Sequence, residues 1–385
     1  MNVLLDFIAS VPWGLMTAAI AKTLFLIFLV VLPLVSYTVY AERRVSALIQ
    51  DRLGPNRTGF PTSLFGFQKD LQLFLGGLGQ PVADAMKFML KEEFTPGHVN
   101  KVYFWLAPIL AMVPALSTLA VVPFGNFMLG QKMVVADVNV GILYVFAVAS
   151  IGVYGIVIAG WSSNSKYPFL GGIRASSQMI SYELSLGLSA VPVLMLIGNL
   201  NLSEVIQYQI NNGWLLVPFT NGVFTLKKLV LWGPIAISFV VFTISMFAET
   251  NRLPFDLPES ETELVAGYHT EYSSMKFALF FLGEYAAMIV GSSLIVVLFL
   301  GGWHLPLLPM NTIESSQTLP GAILGLIHIS VFFAKVAALL FLFIWIRWTL
   351  PRFRFDQLMK LGWLYLFEIA LANIFLTAAI LALWK

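Results

Sequence analysis

Residues 277–300 read Phe-Ala-Leu-Phe-Phe-Leu-Gly-Glu-Tyr-Ala-Ala-Met-Ile-Val-Gly-Ser-Ser-Leu-Ile-Val-Val-Leu-Phe-Leu. The stretch holds one carboxylate, Glu284, and no lysine or arginine. It exceeds the ~20 apolar residues a helix needs to cross a bilayer. Seven more runs have this character, at approximately 17–40, 103–125, 138–160, 176–198, 228–248, 322–346 and 361–384. All are long and continuous, not short and alternating, which selects helices over a β-barrel. The expectation is an all-α polytopic membrane protein with about eight transmembrane helices, one membrane domain over 1–385.

Composition agrees. Of 385 residues, 58% are hydrophobic and 11% charged, where soluble domains carry roughly 25% charged residues. The net charge of +2 gives no bulk field for nucleic acid, and no nucleic-acid partner is expected. There are no cysteines, which removes disulfides, thiolate catalysis and cysteine-ligated clusters. His98, His269, His304 and His328 lack metal-ligand spacing, so no metal site is expected. No dinucleotide or Walker fingerprint occurs. Redox or nucleotide cofactors would therefore sit on other chains. The first sixteen residues contain Asp6 and no basic residue, so the first apolar run reads as a retained helix.

Basic residues are unevenly shared between the two sets of loops. Sixteen fall in the loops joining odd helices to the next even one, against four on the opposite face. By the positive-inside rule the richer face is cytoplasmic and both termini lie outside. The first such loop, 41–102, is too long for a turn. Within it Gln80–Glu92 reads as an amphipathic helix, with Pro81 near its start. Val82, Met86, Met89 and Leu90 share one face; Asp84, Lys87 and Lys91 share another. Phe67, Leu71, Phe74 and Leu75 repeat the pattern upstream. Such helices lie in a membrane interface or pack on the bundle, and the residues leave both open.

Three constellations can carry chemistry. The loop 249–276 crowds Glu249, Asp256, Glu259, Glu261, Glu263 and Glu271 against Arg252 and Lys276. Pro254, Phe255, Leu257 and Pro258 make it a built loop, and close carboxylates raise one another's proton affinity. Inside the apolar runs stand Glu183, Glu284, Glu368, His328 and Lys335. Intramembrane charge is costly and faces a bundle interior or wet cavity. Proton relay is expected for Glu183 and Glu284. A buried pair of Lys335 with a glutamate is the structural alternative for that lysine. The third constellation is basic: Arg43 and Arg44 after the first helix, then Arg347, Arg352 and Arg354 after the seventh. These are topology signals or, as arginines, ligands for carboxylates.

These stretches resemble one family. They are Ala41-Glu-Arg-Arg44, Asp51-Arg-Leu-Gly-Pro-Asn-Arg57, Gln80-Pro-Val-Ala-Asp-Ala-Met-Lys87, Ile180-Ser-Tyr-Glu183, Ala248-Glu-Thr-Asn-Arg-Leu-Pro-Phe-Asp-Leu-Pro-Glu259, Glu271-Tyr272, Gly283-Glu-Tyr285 and Pro351-Arg-Phe-Arg-Phe-Asp-Gln357. In order, from about residue 20 to the C-terminus, they are similar to the H subunit of bacterial NADH:quinone oxidoreductase, subunit 1 of complex I. The resemblance implies an eight-helix subunit of the bacterial inner membrane that lines a quinone tunnel. It implies Arg43, Arg44, Asp84, Lys87, Arg252, Arg347 and Arg352 around that tunnel. It implies Glu183, Glu249, Asp256, Glu259, Glu261, Glu263, Glu271 and Glu284 in proton coupling. Quinone would be the substrate, with NADH, FMN and iron–sulfur clusters on partner subunits and lipid around the bundle. Arg57–Gly79 is longer than the resemblance leads one to expect, and an added interfacial helix is predicted there. An anchor subunit of a membrane-bound hydrogenase or F420H2 dehydrogenase, or a stand-alone ion transporter, are the rival readings.

Overall fold

The computed structural model describes residues 23–24, 26–56, 58, 77–128, 131–217, 226–258, 261–305 and 319–383. A π-helical segment, Leu26–Val31, runs into α1 (Leu32–Ile49). The amphipathic α2 (Gln80–Leu90) and α3 (Lys101–Thr118) follow. A two-residue antiparallel ladder pairs β1 (Phe127–Met128) with β2 (Gln131–Lys132), Phe127 opposite Lys132. Then come α4 (Gly141–Ser162), α5 (Lys166–Ile197), α6 (Leu202–Asn212), α7 (Leu226–Glu249) and the short α8 (Glu261–Leu264). Next are α9 (Ser274–Phe299), α10 (Leu319–Thr349) and α11 (Phe355–Lys360), which passes through a π segment, Leu361–Leu366, into α12 (Phe367–Leu383).

Among the described residues, seven helices are long and apolar enough to cross a membrane. They match the second to eighth apolar runs. The first run, 17–40, lies partly outside the described residues, and its helix continues to Ile49. The all-α membrane architecture stands, with one minimal strand pair added. The second amphipathic stretch, Phe67–Leu75, and most of Arg57–Gly79 lie outside the described residues.

α9 is the central post: 78% of its apolar window is buried, against 22% for the α11–α12 span. Small residues let its neighbours close in. A Cβ on Gly283 would sit 3.3 Å from the Ala111 carbonyl oxygen of α3. In the α3–α4 contact a Cβ on Gly155 would meet the Ala111 nitrogen at 2.6 Å, so only glycine fits. Close backbone approach of this kind is how helices associate where water gives no drive.

One loop is shorter than hydropathy predicts. The expectation for 160–176 is a loop carrying Lys166 and Arg174. Instead α5 begins at Lys166 and both residues are helical. Lys166, Pro168, Gly171, Gly172 and Arg174 interrupt the hydropathy before residue 176, which shifts the apparent start downstream. The helix persists because its first turns are packed: a Cβ on Gly171 would meet the Tyr268 nitrogen at 2.7 Å.

Among the described residues Lys335 pairs with no glutamate. Its Nζ donates to the carbonyls of Leu300, Gly302 and His304 at 2.8, 2.8 and 2.7 Å and sits 4.1 Å from the Trp214 ring centroid. The ammonium thus gathers the carbonyls where α9 ends, a cation at a negative helix terminus. Replacing Lys335 by Met should leave those carbonyls without a donor, at about 1–3 kcal/mol each. A thermal midpoint well below that of the parent complex is the expected reading.

His304, beside that ammonium, is buried. Burial first, and the Lys335 charge second, hold its imidazole below the ordinary 6.5. The unfolded chain therefore binds this proton more readily than the folded one. The contribution is intact above the unfolded value and is lost as pH falls below about 6.5. Thermal midpoints of His304→Gln, measured on both sides of that pH, should show a flatter slope than the parent.

Candidate functional site

The polar centre is built around Glu42 of α1. Val31, Val35, Thr38, Glu42 and Ser46 form the buried stripe of that helical segment, at spacings of three and four. Glu42 therefore points inward, while Arg43 and Arg44 are exposed. One Glu42 oxygen takes a close ion pair from Arg347, at the end of α10. The other accepts from the Tyr285 hydroxyl of α9 at 2.7 Å and faces Arg252 Nη1 at 3.5 Å. Arg252 lies over the Tyr285 ring, 4.1 Å from its centroid, and reaches Glu284 Oε2 at 3.9 Å. Glu284 in turn accepts from the Tyr268 hydroxyl at 2.9 Å. Each buried charge here has an opposite charge or a directed donor, the condition for holding ions inside a protein.

The segment after α7 is held in place by a buried glutamine. Gln178 Nε2 of α5 donates to the Ala248 carbonyl at 2.8 Å and the Phe255 carbonyl at 2.7 Å, and meets Asn251 Oδ1 at 3.1 Å. Phe255 packs edge-on against Tyr182, centroids 5.5 Å apart, and against Phe353 at 5.4 Å. The Phe353 amide donates to the Pro254 carbonyl, and Arg352 Nη2 pairs with Asp256 at 2.8 Å. Further along, Tyr272 stacks on Phe104 of α3 at 4.0 Å. Burial pushes the Tyr272 hydroxyl above its ordinary value, partly offset by Ser162.

Beside this network lies a cavity between α3, α4, α5, α7 and α9. Its wall is mostly apolar, with Thr118, Glu249, Thr250, Asn251, Tyr268 and Glu284 as the polar exceptions. Glu249 makes no hydrogen bond or ion pair among the described residues, and its Oε2 is buried without a partner. Glu183, half-buried on α5, is the like charge that acts on it.

The remaining expected site residues are placed as follows. Arg43 Nη1 pairs with Asp84 of α2 at 2.6 Å, and Gln80 Nε2 supports Asp84 at 2.9 Å. Arg44 donates to the Tyr40 hydroxyl at 2.6 Å. Lys87 is exposed. The apolar face of α2 is also exposed, with Met86, Met89 and Leu90 at 54%, 68% and 80%, so it does not pack on this bundle. Glu263 pairs with Arg174 at 2.6 Å, away from the Glu42 network. Glu271 is half-buried just before α9. Glu261 opens α8, and nothing is described of its side chain; Glu259 lies outside the described residues. Lys276, expected in the loop, stands in the first turn of α9, where it pairs with Glu93 at 3.0 Å and lies 3.7 Å from the Trp105 ring centroid.

Reading the sequence does not single out Glu42, Tyr285, Tyr268 or Gln178 as members of the site. For Glu42 a signal exists, its place on the apolar stripe of α1. For Gln178 there is none, because its partners, two backbone carbonyls and the Asn251 side chain, are seventy or more residues away.

Fold and site together define a polytopic membrane subunit with charge held inside its helix bundle. The family model described as NADH dehydrogenase matches residues 21–378. The chain is similar to an H subunit of the NADH-quinone oxidoreductase of Cytophaga hutchinsonii, 43% identical and covering 93% of this chain and 95% of that one. The corresponding H subunit of Geobacter metallireducens is 47% identical over 93% and 95%. That of Rhodospirillum centenum is 44% identical over 96% of each. The chain belongs to the family of NADH-quinone oxidoreductase H subunits, membrane components of complex I.

Gln178→Leu tests the pinning of the 248–256 segment. It removes the donor to two buried carbonyls, at about 1–3 kcal/mol each. Hydrogen exchange should quicken at residues 250–256 while α9 amides keep their protection.

Proposed function

We propose that this subunit forms the membrane side of a quinone-access tunnel and couples quinone reduction to proton translocation. The observation that carries the reading is that Glu249 and Glu284 face one cavity, while Glu284 is also tied through Arg252 to Glu42 and Arg347. Quinone is the substrate; NADH, FMN and iron–sulfur clusters belong to partner subunits. Arg43, Arg44, Asp84, Lys87, Arg252, Arg347 and Arg352 border the tunnel. The exposed apolar face of α2 suits an interfacial position beside a lipid-soluble substrate. The arginine-rich end of the bundle is the cytoplasmic one, with both termini on the other side of the bacterial inner membrane.

Reducing a quinone takes two electrons and two protons, and this changes the charge beside the tunnel. In this chain the segment 250–258 is the element that feels it, because Arg252 is engaged by carboxylates on α1 and α9, and Asp256 by Arg352 in the link between α10 and α11. A shift of Arg252 away from Glu284 takes the nearby cation from that carboxylate, and so alters its hold on a proton. Glu249, with Glu183 as the like charge that acts on it and no cation partner among the described residues, exchanges protons with the cavity. Asp256, Glu259, Glu261, Glu263 and Glu271 complete the acidic side of this path. An element that two sites both bias is what coupling between them requires.

Glu249→Gln and Glu284→Gln, each in the assembled complex, separate coupling from assembly. Proton translocation per electron in proteoliposomes should fall at least about fivefold, the low end of a 1–3 kcal/mol coupling. The content of complex in the membrane should hold. Full translocation in both variants would sink the reading.

A further inference from the structure

Glu368 has no role in the network above, and its position is unusual. It stands midway along the 29-residue span Phe355–Leu383, on its exposed side. Eight residues separate it from Lys360, the last basic residue before the apolar stretch, which is about 12 Å of helix. A glutamate stem is too short to bring its carboxylate back to the interface from that depth. Among the described residues Glu368 has no hydrogen bond and no ion pair. A lone carboxylate facing lipid at this depth is costly, and ionisable residues inside membranes pair with other groups.

The rest of the helix surface shows which side is taken. One face is fastened to the bundle: Asn373 Nδ2 donates to the Pro234 carbonyl and the Ser238 hydroxyl, both at 2.9 Å, and Tyr182 lies over Gly362. The other face carries Tyr365, Glu368, Ala372, Phe375, Leu376 and Ala379, all exposed. Ala372 and Ala379 leave room for a backbone to approach, and Tyr365 and Phe375 flank them, a surface suited to helix packing. This span is also the least covered of the seven. Whatever covers it must satisfy its own backbone at that depth, which in the bilayer means a helix.

We propose that this face docks a transmembrane helix of another subunit of the complex, and that the docking helix presents a lysine or arginine to Glu368. The proposal rests on membership of the complex and not on the coupling reading. It gives the charge of Glu368 a use: a mid-membrane ion pair that only the correct neighbour can complete.

Two measurements on the intact complex in native membranes test it. A photo-crosslinking residue in place of Ala372 or Phe375 leaves Glu368 untouched. It should capture one membrane subunit, at a helix carrying Lys or Arg. Glu368→Leu then strands that cation, since losing one member of a buried pair is strongly destabilising. The yield of complex retaining the captured subunit should drop about tenfold or more, with partial recovery in Glu368→Asp. Were the face lipid-exposed, the same leucine would remove a cost and the complex would survive unchanged. That result overturns the proposal. So do crosslinks only to lipid, only to this chain's own residues, or to a helix without a basic side chain.

Discussion

One carboxylate inside α1 holds the arginine-rich end of the bundle together. Glu42 takes Arg347 from the end of α10, Arg252 from the segment after α7 and the Tyr285 hydroxyl from α9. Four segments distant in sequence meet at two oxygen atoms. The low dielectric of a helix bundle makes this arrangement compulsory once the charges are inside. An unpaired buried ion costs several kcal/mol, and each member here is the answer to another. The position of Arg252, and through it of Glu284, follows from where α1 places Glu42.

The same logic shapes the segment 250–258. It carries polar backbone into the bundle, and that backbone must find partners. Gln178 supplies donors to Ala248 and Phe255, the Phe353 amide supplies one to Pro254, and Arg352 neutralises Asp256. The segment is thus fastened from α5 and from the link between α10 and α11, while Arg252 reaches across to α1 and α9. An irregular stretch of chain is tolerable at such a place only because it is wrapped in protein.

What is legible in the sequence follows the reach of each force. The bilayer acts on runs of about twenty residues, so seven spans can be read from hydropathy alone. The start of α5 cannot, because Lys166, Gly171, Gly172 and Arg174 look like loop, whereas Gly171 is packed onto the Tyr268 backbone. Glu42 is legible in principle, since its spacing from Val35 and Thr38 puts it on the buried stripe. Lys335 misleads for a physical reason: its partners are carbonyls exposed by the ending of α9, and backbone acceptors have no letter in a sequence. Charge–charge partners of the right type are easier, as with Arg43 and Asp84, but which arginine meets which acid requires the fold.

The two cavity carboxylates differ in one respect that bears on their roles. Glu284 has a tyrosine donor and a guanidinium within reach, whereas Glu249 has neither among the described residues and faces Glu183. Paired acids in unlike surroundings are the usual physical basis for dividing proton-handling roles. In the proposed coupling, Glu284 is the member whose state depends on where Arg252 sits. Glu249, with no cation partner among the described residues, is the member that answers to the cavity. Under that proposal the asymmetry gives the path a direction: a change of charge at the Glu42 network reaches Glu284 first, and Glu249 only through the space they share.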